Sequence, residues 1–162
     1  PNAAHKKLAQ WEQEGRLRAV VTQNIDGLHQ AAGSKKVYEL HGSVLRNYCM
    51  KCNRFYDADF IRKCSGIPRC TCGGIIKPDV VLYQEGLSDS VINGAVTSIK
   101  EADLLIVGGT SLNVYPAAGL IKYRSKDCFL LLINLTETPA DSFADMVIHD
   151  SIGKIMGSIM SG

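Results

Sequence analysis

No stretch of this sequence is long and apolar enough to span a bilayer. The longest apolar runs, Leu104-Leu105-Ile106-Val107 and Phe129-Leu130-Leu131-Leu132-Ile133, fall far short of the roughly 20 residues a membrane helix needs and are read as buried strands. An excess of charge of one sign is missing too. The 18 Lys and Arg stand against 16 Asp and Glu, the formal net charge is +2, and the basic residues are scattered. That removes the electrostatic footprint expected of a protein that binds nucleic acid directly or sits on an anionic membrane. No basic opening leads into an apolar stretch with a small-residue cleavage site, so cytoplasmic residence is the default. In that compartment the six cysteines need an explanation other than disulfides. Internal repeats, low-complexity tracts and long linkers are also absent. What remains, 162 residues of which 46% are hydrophobic, suffices for one domain, or one domain with a small insert.

The spacing of Leu8, Ala9 and Trp11 predicts a helix ending at Glu14-Gly15, with the glycine as its stop signal. Arg18–Thr22 is short and β-branched and runs directly into the polar string Gln23-Asn24-Ile25-Asp26-Gly27-Leu28-His29. A second short strand, Val37–Leu40, ends on His41-Gly42. Helical spacing resumes from Val91 to Ala102. Strands are then expected at Leu104–Gly109, Phe129–Asn134 and Met146–Ile148, separated by helical stretches, with a closing helix from Ser151 to Met160. This alternation predicts an α/β fold with a parallel sheet covered on both faces.

Between them, residues 44–80 change character and hold five of the six cysteines. Cys49-Met-Lys-Cys52 and Cys70-Thr-Cys72-Gly-Gly supply two close pairs of soft ligands on tight turns, the pattern of a tetrahedral zinc ribbon. Four thiolates would close the metal's shell and leave no place for water, so the zinc is expected to be structural. The short Cys-x-Cys spacing leaves Cys64 as an alternative fourth ligand. Cys128, just before a core strand, is read as packing.

The strings Thr22–His29 and Glu39-Leu40-His41-Gly42, then the cysteine pairs, then Lys77–Glu85, Val107–Pro116 and Ile133-Asn134-Leu135 together resemble the sirtuin family, in the family's order and over essentially the whole chain. The resemblance implies a doubly wound, Rossmann-like sheet built from residues 1–43 and 81–162, with residues 44–80 as a small zinc-binding domain. It implies NAD-dependent removal of an acyl group from protein lysine, the group passing to the ribose of NAD with release of nicotinamide and an O-acyl-ADP-ribose. His41 resembles the family's catalytic histidine. The chemistry suits it, because an imidazole ordinarily titrates near pH 6.5 and can take a hydroxyl proton at neutral pH. In isolation His41 fits a satisfied core histidine better than a catalytic one, and it is the Glu-Leu-His-Gly string that reverses this, while Asn24 and Asp26 also fit turn caps. By resemblance Asn24 and Asp26 hold the nicotinamide ribose and carboxamide and belong with His41 to the catalytic set, while Gln23 and Ile25 complete that part of the cofactor pocket. Gly108, Thr110, Ser111, Asn134 and Leu135 match the adenosine side, at strand ends where open α/β sheets bind nucleotides. Gly108-Gly109 by itself is not a dinucleotide fingerprint. An acyl-lysine peptide would lie as an added strand between Val81-Leu82-Tyr83 and Asn113-Val114-Tyr115, through backbone pairing that tolerates many sequences.

The family's Gly-Ala-Gly turn and Asp-Phe-Arg string occur nowhere in these 162 residues, and Pro1–His5 resembles a motif downstream of both. Because backbone N–H groups of such a turn hold the pyrophosphate, the expectation is a sheet incomplete at its N-terminal strand. Such a chain would have little activity until a partner segment supplies the missing part. An ADP-ribosyltransferase and a non-catalytic acyl-lysine-binding module are the alternative readings.

Overall fold

A computed structural model describes residues 1–82 and 84–159. In chain order the elements are α1 (Ala3–Gln13), β1 (Val20–Thr22), α2 (Leu28–Ala31), β2 (Val37–Glu39), β3 (Gly42–Cys49), β4 (Phe55–Asp57) and α3 (Ala58–Lys63). There follow β5 (Ile76–Val80), α4 (Asp89–Lys100), β6 (Leu104–Gly108), β7 (Phe129–Ile133), β8 (Met146–Ile148) and α5 (Ile152–Ser158). The chain divides into two compact units, one of Pro1–Val21, Leu28–Tyr38 and the residues from Asp89 onward, the other of Thr22–Gly27 and Glu39–Ser88. The second unit is wider than residues 44–80 because β3 starts at Gly42, and because the Val81 and Leu40 N–H groups donate to His41 O and Thr22 O.

In the larger unit α1 starts where the Asn2 side chain accepts the His5 N–H at 3.1 Å, which satisfies an otherwise unpaired first-turn donor. It ends before Gly15, whose φ of +72° only glycine adopts without cost. Strands β6, β7 and β8 form one parallel sheet in that order. The continuous apolar run of β7 is explained by burial on both faces. Leu130 and Leu132 point into a core with Leu112, Ala118, Ile121 and Ala140. Leu131 and Ile133 meet Ala4, Leu8, Trp11, Ile152, Ile155 and Met156 from α1 and α5 on the other side.

The sheet faces are covered, but not by the α-helices expected between the strands. The β6–β7 connection carries a 3-10 helix, Ala117–Tyr123, and the β7–β8 connection carries only the 3-10 turn Asp141–Phe143. Pro116 and Pro139 deprive these links of backbone donors, and Asp141 turns its carboxylate onto the Thr138 N–H and hydroxyl, a local bond that competes with a helix.

The second unit is built on an antiparallel sheet in the order β4-β3-β5. Its buried centre is small: Cys49, Cys70 and Ile76, with Tyr56, Ile61 and Cys72 packed around them.

Candidate metal centre and cofactor site

The Sγ atoms of Cys49, Cys52, Cys70 and Cys72 lie within 4.8 Å of one another. Cys49 and Cys72 are 3.5 Å apart, and Cys52 and Cys70 are 3.6 Å apart. A tetrahedron with zinc–sulfur bonds of about 2.3 Å has edges of about 3.8 Å, so the four thiols are spaced as ligands of a single ion. The first pair leaves β3 into a tight turn in which the Asn53 N–H donates to Cys49 O. The second sits on a turn closed by the Gly73 N–H donating to Cys70 O. The Cys72 N–H and the Tyr56 hydroxyl lower the Cys70 thiol to about 5. At Cys52 the Arg54 N–H works the other way, yet the sulfurs of Cys72 and Cys70 push the thiol up to about 12. Four thiols this close cannot all ionise without a cation among them, and a divalent cation removes that conflict. Cys64 is outside the cluster. It caps α3 and its thiol donates to Phe60 O at 3.3 Å, so the short Cys-x-Cys pair provides both remaining ligands. Cys128 is buried at the start of β7.

The same unit holds Gln23, Asn24, Ile25, Asp26 and His41. Asn24 N–H donates to Thr22 Oγ1 at 3.0 Å, and Ile25 O accepts both the Val44 N–H and the Ser43 hydroxyl. His41 Nδ1 lies 3.0 Å from Gln23 O. A carbonyl oxygen only accepts, so Nδ1 carries the proton and the neutral ring keeps its lone pair on Nε2. Val81 and the exposed Leu82 follow β5, and the Val81 N–H donates to His41 O at 3.1 Å. Tyr83 lies outside the described residues.

In the larger unit, a cleft of about 400 Å³ opens at the C-terminal ends of the parallel strands. It is lined by Gly109, Thr110 and Ser111 after β6, Ile133 to Thr136 after β7, and Asp150 to Ile152 after β8. This is where open α/β sheets bind nucleotides. Thr110, Ser111, Asn134 and Leu135 line it as the strand ends suggest. Gly108 does not: a side chain there would run into Ile152, so its contribution is close packing, and Gly109 takes the place on the wall. Sequence reasoning missed Thr136, Asp150 and Ser151, although a polar pair directly between an apolar strand and the closing helix was a usable signal. The Lys154 ammonium and the Ser151 N–H hold the Asp150 carboxyl below its usual range. Asn113, Val114 and Tyr115 are exposed beyond the cleft in the same unit.

A family model described as the Sir2 family matches residues 1–116. The chain belongs to the Sir2 family. The NAD-dependent protein deacetylase of Clostridium perfringens (strain 13 / Type A) is 63% identical over 161 residues, which are 99% of this chain and 66% of that protein. The protein of the same name from Saccharolobus solfataricus is 48% identical over 158 residues, 94% of this chain and 63% of that protein. Among solved structures, a Sir2 complex with p53 peptide and NAD+ superposes with a TM-score of 0.90 at 42% identity, covering 96% of this chain and 67% of that one. Sir2Tm bound to a propionylated peptide gives a TM-score of 0.89, also at 42% identity, over 96% of this chain and 68% of that one. The chain spans about 66% of the length of the first curated relatives it matches. The fold is the family's, with Rossmann-type parallel strands and a four-cysteine site for a structural zinc. Among the described residues no helix is long and apolar enough to cross a membrane.

Proposed function

We propose that this chain carries the chemical centre of an NAD-dependent protein-lysine deacylase, with His41 as its base. The observation that carries the reading is the His41 ring: with Nδ1–H donated to Gln23 O, Nε2 is left as the proton acceptor, held in one tautomer and orientation. NAD supplies the ADP-ribosyl acceptor for the acyl group. Gln23, Asn24, Ile25 and Asp26 lie on the segment whose backbone orients His41, and they are assigned the nicotinamide end. Thr110, Ser111, Asn134 and Leu135 are assigned the adenosine end, with the cleft they line in support. Val81 and Leu82, with Tyr83, and Asn113, Val114 and Tyr115 are assigned the backbone of an acyl-lysine peptide. The names of the curated relatives and the acylated peptides bound in related structures support that partner class. Cys49, Cys52, Cys70 and Cys72 would hold a zinc with four thiolates, which would close its shell and leave it a structural role. The cytosol is the compartment this reading assumes, consistent with six free thiols.

The test is nicotinamide release from NAD with and without an acetyl-lysine peptide, for the chain alone and for the chain mixed with the part of a curated relative that it does not match. Peptide-dependent release that His41→Ala reduces by about 100-fold or more supports the reading. Release indifferent to His41 overturns it, and transfer of labelled ADP-ribose onto protein would favour an ADP-ribosyltransferase instead. Peptide binding without release in either mixture would favour a binding module.

A further inference from the structure

Strand β3 pairs with β5 through Gly42↔Val80 and Ser43↔Asp79, and then again only from Asn47↔Pro78. Val44, Leu45 and Arg46 therefore have no partner on β5 and form a three-residue bulge. Bulges re-aim side chains and gather beside active sites, and every residue of this one reaches a segment that the proposed function uses. Val44 N–H donates to Ile25 O at 3.1 Å. Leu45 lies against Gly27, where a Cβ would run into it, and its own N–H is held by Ser43 Oγ at 3.2 Å. Arg46 forks: Nη1 donates to Glu39 at 2.6 Å and Nε to Asp79 at 2.9 Å. Glu39 stands two residues before His41 and its side chain is only 8% exposed. Asp79 stands two residues before Val81. It is held a second way, because Gly42 packs so closely on its carbonyl that no side chain fits between them.

We infer that Arg46 is a positioning residue which, from the C-terminal end of this bulge, locks the Glu39–His41 segment to the Asp79–Val81 segment and so sets the imidazole against the strand assigned to the acyl-lysine peptide. The geometry demands arginine: one planar fork reaches two carboxylates on two segments, whereas a lysine ammonium can hold one and leaves the other free. The inference deepens the proposed function and rests on it for the roles of His41 and Val81, but the lock itself is read from the ion pairs alone.

The experiment compares the full chain, zinc-loaded, with Arg46→Met and Arg46→Lys, following amide hydrogen exchange by NMR and affinity for a fluorescent acetyl-lysine peptide. The Val81 N–H, bonded to His41 O, should exchange roughly tenfold faster or more in Arg46→Met, with a smaller rise in Arg46→Lys, as loss of hydrogen bonds to charged groups implies. The Cys70 and Ile76 amides in the zinc region should stay as protected as in the parent. Peptide affinity should fall in the same order while ADP-ribose binding to the cleft of the other unit is unchanged. Unchanged Val81 exchange overturns the inference. So does equal acceleration at Cys70 and Ile76, since Arg46 would then be a general stabiliser. If the parent chain binds no acetyl-lysine peptide but the exchange pattern is as described, the lock stands and the proposed function falls.

Discussion

Replacing Cys72 by serine should cost the protein its zinc, while the same change at Cys64 should leave the metal in place. The structure separates the two cysteines by their neighbours. Cys72 Sγ is 3.5 Å from Cys49 Sγ inside the four-thiol cluster, and Cys64 Sγ is turned onto Phe60 O. Structural zinc binding by small four-ligand domains is worth about 10–16 kcal/mol. Divided evenly, each thiolate contributes about 2.5–4 kcal/mol, and at about 1.4 kcal/mol per decade its loss weakens affinity by roughly 60- to 700-fold. The deficit has little to offset it, because Ile76 is the one large aliphatic side chain in the buried centre of that region. Competition with a chromophoric chelator, read against zinc content per chain, gives both numbers. The parent and Cys64→Ser should hold one equivalent with the same affinity within about threefold, a surface-like response, and Cys72→Ser should surrender it. Loss of zinc from Cys64→Ser, or retention by Cys72→Ser at parental affinity, would refute the ligand assignment.

Two further outcomes follow from positions beside the proposed chemistry. Gly42→Ala would place a methyl against the Asp79 carbonyl at a φ of +76°. The left-handed backbone alone costs about 1–2 kcal/mol for an alanine, and separating β3 from β5 adds to it, so thermal unfolding should shift downward by several degrees; an unchanged Tm would contradict the close approach. The Leu82 N–H and the Lys77 ammonium hold the Glu85 carboxyl below its ordinary value of 4.5. A carboxyl depressed in the folded state contributes stability that is present above 4.5 and disappears as pH falls through its lower folded value. Protection of the Leu82 amide from exchange should therefore drop on acidification in that window, and Glu85→Gln should remove the pH dependence; a pH-dependent loss that survives the substitution would sink the argument.

Much of the site was legible in the chain itself. Cysteines at Cys-x-x-Cys and Cys-x-Cys spacing have few uses besides a metal, and close thiols on tight turns fix their own geometry locally. The aliphatic run of β7 declares a strand buried on both faces, and the polar strings at the ends of Val20–Thr22, Leu104–Gly108 and Phe129–Ile133 are the positions to which the proposed cofactor contacts are assigned. The sequence also resembles the family motif by motif, and that resemblance is what singles out His41 for the proposed role.

Other features depended on atoms brought together from distant positions. Whether Cys64 or Cys72 completes the zinc site was open until the fold turned one thiol into the cluster and the other onto a helix carbonyl. The links around Ala117–Tyr123 and Asp141–Phe143 read as helical by alternation, but prolines and an Asp–Thr turn held them to 3-10 geometry. Glu39 and Asp79 fall within strings that resemble the family and Arg46 does not, and nothing in the sequence joins the three. Only the three-residue bulge in β3 brings them into one ion-pair fork, and only the Gln23 carbonyl, eighteen residues from His41 along the chain, decides which nitrogen of that ring is free. Local spacing determines which residues can do chemistry. Long-range pairing determines the direction in which they point, because it alone controls which donors and acceptors lie within the 3 Å or so of a hydrogen bond.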